Sequence, residues 1–135
     1  MRKVLLAALW ICTALALASC AAAQVETQAP NVDVTSYMQQ VWQKYEDYTY
    51  DEGKNTLTLR EYSTMSYESA CAFGQNIYTD ELALETYVDS VQVVADDLAA
   101  TCNLPGVCVV LECISTDGEV LFTVASGGSI TACWE

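Results

Sequence analysis

The stretch from Val107 to Gly127 restricts the fold more than any other part of this sequence. It reads VCVVLECISTDGEVLFTVASG, in which two runs rich in β-branched residues flank Asp117-Gly118. That dipeptide favours a two-residue turn between antiparallel strands. We therefore expect a β-hairpin in which Thr116 lies opposite Glu119.

Closing the hairpin in this register gives its two faces a different character. One face is expected to be apolar and carries the opposed pairs Cys113 and Phe122, Leu111 and Val124, and Val109 and Ser126. The other face mixes Val110, Glu112 and Ile114 with Leu121, Thr123 and Ala125. Such a mixture is typical of a sheet with one buried side and one partly exposed side.

Further elements are predicted along the rest of the chain. A helix is expected to start near Thr35 or Ser36, either of which can cap it, and residues 45–62 are expected to form a hairpin that turns at Gly53. The Ser-rich passage at residues 63–76 is expected to be an irregular connection. A long helix from about Thr79 to Thr101 is indicated by apolar residues at steps of three and four, namely Leu84, Tyr87, Val88, Val91, Val94, Ala95 and Leu98.

These elements predict an α+β fold in one domain at residues 35–135. The order is helix, hairpin, helix, hairpin, and it favours an antiparallel sheet with the helices packed on one face. The residues after Gly128 are expected to add a short fifth strand or a tail.

The first residues have the layout of an export signal. Arg2 and Lys3 precede an uncharged apolar run of about 15 residues, shorter than the roughly 20 that span a bilayer as a helix. The following Leu17-Ala18-Ser19-Cys20 resembles the lipobox of bacterial lipoproteins, whose cysteine becomes the acylated N-terminal residue. This predicts a signal peptide at residues 1–19, lipidation at Cys20 and a flexible tether at residues 20–34. Plain secretion, with cleavage before Gln24, is the alternative.

The predicted acyl chains would hold the domain at the membrane surface, on the extracytoplasmic side of the cell membrane or outer envelope. The full chain has a formal charge of -13, and removal of Arg2 and Lys3 with the signal peptide changes this to -15. So acidic a surface repels nucleic acid and anionic headgroups. We therefore expect the lipid to attach the protein to the membrane, and we expect no nucleic-acid partner.

Four segments together resemble a family of small bacterial lipoproteins, the domain of unknown function 4854 family. They are the lipobox, KNTLTLREY at residues 54–62, the long helix, and VCVVLECISTDGEVLFT at residues 107–123. The family has a strand of the form gNtLvyey and, after the helix, a hairpin of the form v.v.y.d.dGkvl. The resemblance covers about residues 36–124 and implies no activity, and the many cysteines depart from the family pattern.

Five cysteines remain when the signal peptide and the lipidated Cys20 are set aside. An odd number allows at most two disulfides and one free thiol within a single chain, and disulfides are permitted outside the cytoplasm. Cys102 and Cys108 flank a short turn and are the favoured pair. Cys71 with Cys133 is the second pair, and Cys113 is expected to be a buried thiol.

The sequence contains no histidine, which removes the commonest general base and every histidine-dependent nucleophile. It also contains no C-x-x-C and no glycine-rich nucleotide motif, so no metal and no cofactor are predicted. Paired carboxylates remain a catalytic option. The candidates are Glu46, Asp47, Asp51 and Glu52, although such a run is more often a solvated rim.

The chain has eight tyrosines, and tyrosine is enriched at recognition surfaces. Tyr48, Tyr50, Tyr62 and Tyr67 are the candidate binding patch, and the alternative is that they pack the sheet. We expect a lipid-anchored, non-enzymatic binding module whose partner is an unidentified envelope protein or a glycan. The alternative function is a small glycan hydrolase that uses paired carboxylates.

Overall fold

Five strands form one mixed sheet, and three helices accompany it. A computed structural model of the chain describes residues 32–77 and 81–135, and Val32–Glu135 is a compact unit. The strands are Asp47–Asp51 (β1), Thr56–Tyr62 (β2), Cys108–Ile114 (β3), Val120–Ala125 (β4) and Ile130–Ala132 (β5). The helices are Val34–Val41 (α1), Tyr67–Ile77 (α2) and Glu81–Thr101 (α3).

Several predictions concern residues that lie outside the described part of the chain. They are the signal peptide at residues 1–19, lipidation at Cys20, most of the tether, and the start of the long helix at Thr79. Among the helices that are described, none combines the length and the apolar character needed to cross a bilayer.

The strands lie in the order β1-β2-β3-β4-β5, and their directions differ from the prediction at one place. Three neighbouring pairs are antiparallel, but β2 and β3 are parallel, from Thr56 opposite Cys108 to Tyr62 opposite Ile114. A parallel neighbour requires a long crossover connection, and here the crossover contains both α2 and α3. The α+β class is confirmed, whereas a wholly antiparallel sheet was wrong.

One face of the sheet carries the hydrophobic core. Side chains alternate between faces along a strand, and those that point to the core are almost fully buried: Leu57, Leu59, Val109, Leu111, Cys113, Phe122 and Val124. The predicted apolar stripe of the long helix is confirmed, because α3 contributes Leu84, Val91, Val94, Ala95 and Leu98 to the same core. Val34 and Met38 of α1 also belong to it.

The passage that was expected to be irregular contains α2. The Asp117 carboxylate accepts a hydrogen bond of 3.0 Å from the backbone N–H of Tyr67, so the β3–β4 turn caps this helix. Ala70 is fully buried, and a Cβ added at Gly74 would collide with the ring of Trp134. Gly74 therefore lets the indole approach α2 closely. The helix lacks the large apolar stripe by which helices are predicted.

The β3–β4 connection is longer than the expected two-residue turn. The Ser115 N–H donates to the Glu119 carbonyl over 2.8 Å, and Gly118 adopts a φ of 85°, which is typical of a three-residue loop. The register then shifts between Cys113 and Ile114, a β-bulge that turns Leu121 into the core beside Phe122. Leu121 was therefore wrongly placed on the partly exposed face, whereas the pairs Cys113–Phe122 and Leu111–Val124 are confirmed.

The first helix begins slightly earlier than predicted. Asp33 is its N-cap, since the carboxylate accepts from the Ser36 N–H over 2.9 Å and from the Ser36 hydroxyl over 2.8 Å. These hydrogen bonds, the backbone one first, lower the pKa of Asp33. The predicted caps Thr35 and Ser36 lie within the first turn instead.

Asp97 joins α1 to α3. Its carboxylate accepts hydrogen bonds from the Tyr37 hydroxyl at 3.0 and 2.9 Å and from the Trp42 indole N–H at 2.8 Å. The Thr101 hydroxyl donates to the same carboxylate over 3.2 Å. This one side chain therefore holds the first helix and its C-cap against the long helix.

We expect Asp97→Ala to lower the free energy of unfolding by about 2 kcal/mol, because it leaves the Tyr37 and Trp42 donors without their charged acceptor. The measurement is urea unfolding followed by tryptophan fluorescence. Asp96→Ala is the matched control, since Asp96 makes an exposed hydrogen bond to Gln92, and its effect should stay within about 0.5 kcal/mol. Equal losses in the two variants would contradict the assignment.

Candidate functional site

The face of the sheet opposite the core, which we call the open face, is half-exposed or exposed along its length. Its side chains come from all five strands. They are Asp47, Thr49, Asp51, Thr56, Thr58, Arg60, Tyr62, Cys108, Val110, Glu112, Ile114, Val120, Thr123, Ala125 and Thr131. The predicted two-sided character of the second hairpin is thus extended to the whole sheet.

A row of five polar side chains crosses the open face. In the strand register each residue lies directly opposite the next one, so the row takes one residue from each strand: Asp47, Arg60, Glu112, Thr123 and Thr131. Directly opposed side chains are close enough to interact. We call this set the polar row.

Arg60 connects the first three strands of the polar row. Its Nη1 lies 3.3 Å from Oδ1 of Asp47 and 3.1 Å from the Thr49 hydroxyl, and its Nε lies 3.4 Å from Oε2 of Glu112. The Arg60 side chain is 30% exposed, so both ion pairs are partly screened by water and each contributes little to stability. Their main effect is to fix the geometry of this surface.

Tyr62 extends the site beyond the polar row. Its hydroxyl donates a hydrogen bond to Oδ2 of Asp47, while the residue as a whole is 65% exposed. The hydrogen bond from Tyr62, followed by the contact with Arg60, lowers the pKa of Asp47. The same hydrogen bond raises the pKa of Tyr62, so both groups keep their charge states at neutral pH.

Ile114 and Val120, which we call the apolar row, lie beside the polar row at the end of the strands. Tyr62 is opposite Ile114, and Ile114 is opposite Val120. Val120 is 40% exposed and Ile114 is half-buried. The open face therefore offers an exposed aromatic ring and two aliphatic side chains next to a fixed pattern of charges and hydroxyls.

The four tyrosines of the predicted binding patch do not share one surface. Tyr48 and Tyr50 lie opposite Leu59 and Leu57, on the core side of the sheet, and the Tyr48 hydroxyl donates to the Thr35 carbonyl of α1 over 3.2 Å. Tyr62 is on the open face, and Tyr67 is at the start of α2, 39% exposed. Nearness in the chain grouped residues that strand alternation separates.

The acidic candidates for catalysis are also spread out. Glu46 and Glu52 are exposed on either side of β1, and Asp51 accepts from the Lys54 N–H in the turn. Asp47 and Asp51 are four residues apart in one strand, which separates their Cα atoms by about 13 Å. Paired glycosidase carboxylates are roughly 5 to 9.5 Å apart, so this strand does not present Asp47 and Asp51 as such a pair.

The five cysteines of the described residues are free thiols. Cys113 is buried, as predicted, and burial raises its pKa to about 11. Cys102 lies in the core, 2% exposed, whereas Cys108 alternates with the core-facing Val109 and so belongs to the opposite side of β3. The pairing of Cys102 with Cys108 stays a prediction.

Sequence reasoning missed the residues that organise the open face, Arg60 and Glu112. Each was visible as a polar residue within an alternating strand, but their contact depends on the parallel pairing of β2 with β3. In the described part of the chain, histidine, cysteine, aspartate and glutamate form no group of three or more that could hold a metal ion.

No protein-family model, curated protein or solved structure matches the chain. The resemblance to the domain of unknown function 4854 family stays a prediction that these comparisons do not test.

We expect Tyr62→Phe to raise the pKa of Asp47 toward its ordinary value of 3.8, since it removes the largest cause of the lowering. The measurement is an NMR pH titration of the Asp47 carboxyl carbon. Because the folded-state pKa is lowered, the contact favours the folded state above pH 3.8 and is lost as the pH falls through the lowered value. Tyr67→Phe is the control and should leave Asp47 unchanged; an equal shift in both variants would refute the assignment.

Proposed function

We propose that the protein is a lipid-anchored, extracytoplasmic and non-enzymatic binding domain that holds a protein partner on its open face. The single observation that carries the binding role is the exposed surface formed by Tyr62, the apolar row and the polar row. Separate features support the anchored location of the protein and the chemistry of its partner.

The lipobox-like Leu17-Ala18-Ser19-Cys20 supports the anchored location. It follows a positive segment and an apolar run in the order that export signals have. Two or more acyl chains on Cys20 would give stable attachment, because each buried methylene contributes about 0.8 kcal/mol.

The make-up of the open face supports a protein partner over a glycan. Tyr62 offers a large, rigid contact area with a polar tip, and Ile114 and Val120 add aliphatic surface beside it. Aromatic residues and arginine are enriched in protein interfaces.

The charge of the chain supports a neutral or basic partner. The polar row holds Arg60 between two carboxylates, Asp47 and Glu112, so this group of three carries a net negative charge at neutral pH. The full chain is also strongly acidic. A partner with an acidic surface would be repelled, and rim charges of this kind act mainly on specificity and on the rate of association.

The absence of histidine from the sequence supports a non-enzymatic role. Asp47, the one catalytic candidate on the open face within the polar row, is engaged by Tyr62 and Arg60 with a lowered pKa. A general acid needs a raised pKa at neutral pH, so this carboxylate suits an organising role.

For the anchor, we expect cells fed an alkyne fatty-acid analogue to label the wild-type protein and not Cys20→Ala, since the thiol is the attachment point. The readout is fluorescence of the protein after click coupling. Cys108→Ala is the matched control and should keep the label. A processed chain that begins at Gln24 and carries no acyl mass would overturn the anchored location.

For the open face, we expect a photo-crosslinking amino acid at position 62 to trap a protein adduct in living cells, and the same amino acid at position 73 to trap none. Phe73 is the matched control because it is also an exposed aromatic residue, 58% exposed, but lies on α2. The adduct is identified by mass spectrometry.

The affinity of the trapped partner for purified protein should fall about tenfold in Tyr62→Ala, as for a truncated interface aromatic, and stay unchanged in Phe73→Ala. Equal crosslinking at positions 62 and 73 would refute the proposed surface. A glycan adduct at position 62 would refute a protein partner but would still support the open face as the binding surface.

A further inference from the structure

The helix α2 and the segment that follows β5 meet through two side-chain contacts. The thiols of Cys71 and Cys133 lie close enough for the charge of one to affect the pKa of the other. One turn further along α2, Gly74 leaves room for the ring of Trp134, the residue after Cys133. The two contacts lie side by side along both segments, so they fix the same arrangement of helix and C-terminal segment.

We propose that Cys71 and Cys133 form a disulfide that ties the segment after β5 to α2 when the folded protein meets a disulfide oxidant. The sequence predicts Cys71 with Cys133 only as the second disulfide pair, because it does not show that the two residues lie close together. The structure places these two thiols where α2 meets the segment after β5.

Both backbones that carry the two thiols are held in place. The Cys133 N–H donates to the Leu121 carbonyl over 2.8 Å, which continues the pairing of β5 with β4. On the other side, Ala70 directly precedes Cys71 and is fully buried. A disulfide needs close Cβ atoms and suitable side-chain directions, and anchored backbones keep the two thiols near each other.

The remaining thiols are poorly placed to compete. Cys102 and Cys113 are buried in the core, 2% and 6% exposed, where a small oxidant does not reach them. Cys108 belongs to the open side of β3. In contrast, Cys71 and Cys133 are both half-buried, so a small oxidant can reach them.

The reaction is an exchange with a small disulfide such as oxidised glutathione, and it balances without another reactant. The Cys71 thiolate attacks one glutathione sulfur, the glutathione disulfide bond breaks, and one reduced glutathione leaves. The Cys133 thiolate then attacks the sulfur of Cys71 in the mixed disulfide and displaces the second glutathione. Two protein thiols are oxidised, one small disulfide is reduced, and the two protons end on the two glutathione thiols. The overall balance is the same whichever of the two thiolates attacks the oxidant first.

The experiment uses the exported full-length protein, taken from a membrane extract or from the medium, and incubated with oxidised glutathione. Free thiols are alkylated in denaturant, and the chain is cleaved after glutamate. This cleavage places Cys71 in residues 69–81, Cys102 with Cys108 in 86–112, Cys113 in 113–119 and Cys133 in 120–135. Cleavage at lysine and arginine would leave all five in one peptide.

We expect peptide 69–81 to be linked to peptide 120–135, the link to vanish on reduction, and peptides 86–112 and 113–119 to be fully alkylated. A peptide 86–112 that lacks two hydrogen atoms and has no alkyl groups would show the pair Cys102 and Cys108 and overturn the proposal. Alkylation of all five cysteines would overturn it as well. Neither result depends on lipidation or on the open face, so the proposed function is tested separately.

A second measurement compares thermal unfolding with and without reductant. Oxidation should raise the Tm of the wild type and of the matched control Cys108→Ser by roughly 10 °C or more, since the bond closes a long loop. The Cys71→Ser and Cys133→Ser variants should show no such rise. A rise of the same size in Cys71→Ser would overturn the proposal, and the peptide map of the wild type decides the matter if that variant does not fold.

Discussion

The parallel pairing of β2 with β3 is the contact on which the rest of this structure depends. It joins two hairpins that are neighbours in the sheet but far apart in the chain. A parallel pair of this kind requires a crossover that leaves the sheet and returns beside β2. That crossover contains α3, whose buried stripe covers one face of the sheet. The division of the sheet into a core face and an open face follows from this single pairing, because the buried apolar side chains of the described helices join the core on one face.

The same pairing creates the open-face chemistry. Arg60 on β2 meets Glu112 on β3 because the parallel register places them opposite each other, and Asp47 reaches Arg60 from β1. Each carboxylate is partly exposed, so the arrangement adds little to stability. Its physical effect is to hold an arginine in one orientation beside Tyr62. A surface whose polar groups are already positioned loses less conformational freedom on binding. This supports the proposed binding of a partner at the polar row.

The sequence predicted what depends on short-range patterns. Both hairpins, the long helix, the buried Cys113 and the two-sided second hairpin were all visible as alternation or as steps of three and four. The features that the sequence did not predict depend on contacts between residues that are far apart in the chain. The helix α2 relies on Gly74, whose small size matters only because Trp134 packs there, and Leu121 reaches the core only through a bulge. The tyrosines were grouped by position in the chain, whereas the pleat of β1 and β2 sends Tyr48 and Tyr62 to opposite faces.

The C-terminal segment shows how much the fold depends on the helix that the sequence did not reveal. The strand β5 has three residues and lies at the edge of the sheet, so its backbone pairing alone holds it weakly. Its position depends on Trp134, which packs edge-on against Phe122 at 6.1 Å between ring centroids, and this packing requires the space left by Gly74 on α2. Because α2 is itself capped by Asp117 from the β3–β4 turn, the last strand, the second helix and the second hairpin stabilise one another. A covalent link between α2 and the end of β5 would stabilise this short edge strand, which few backbone hydrogen bonds hold to the sheet.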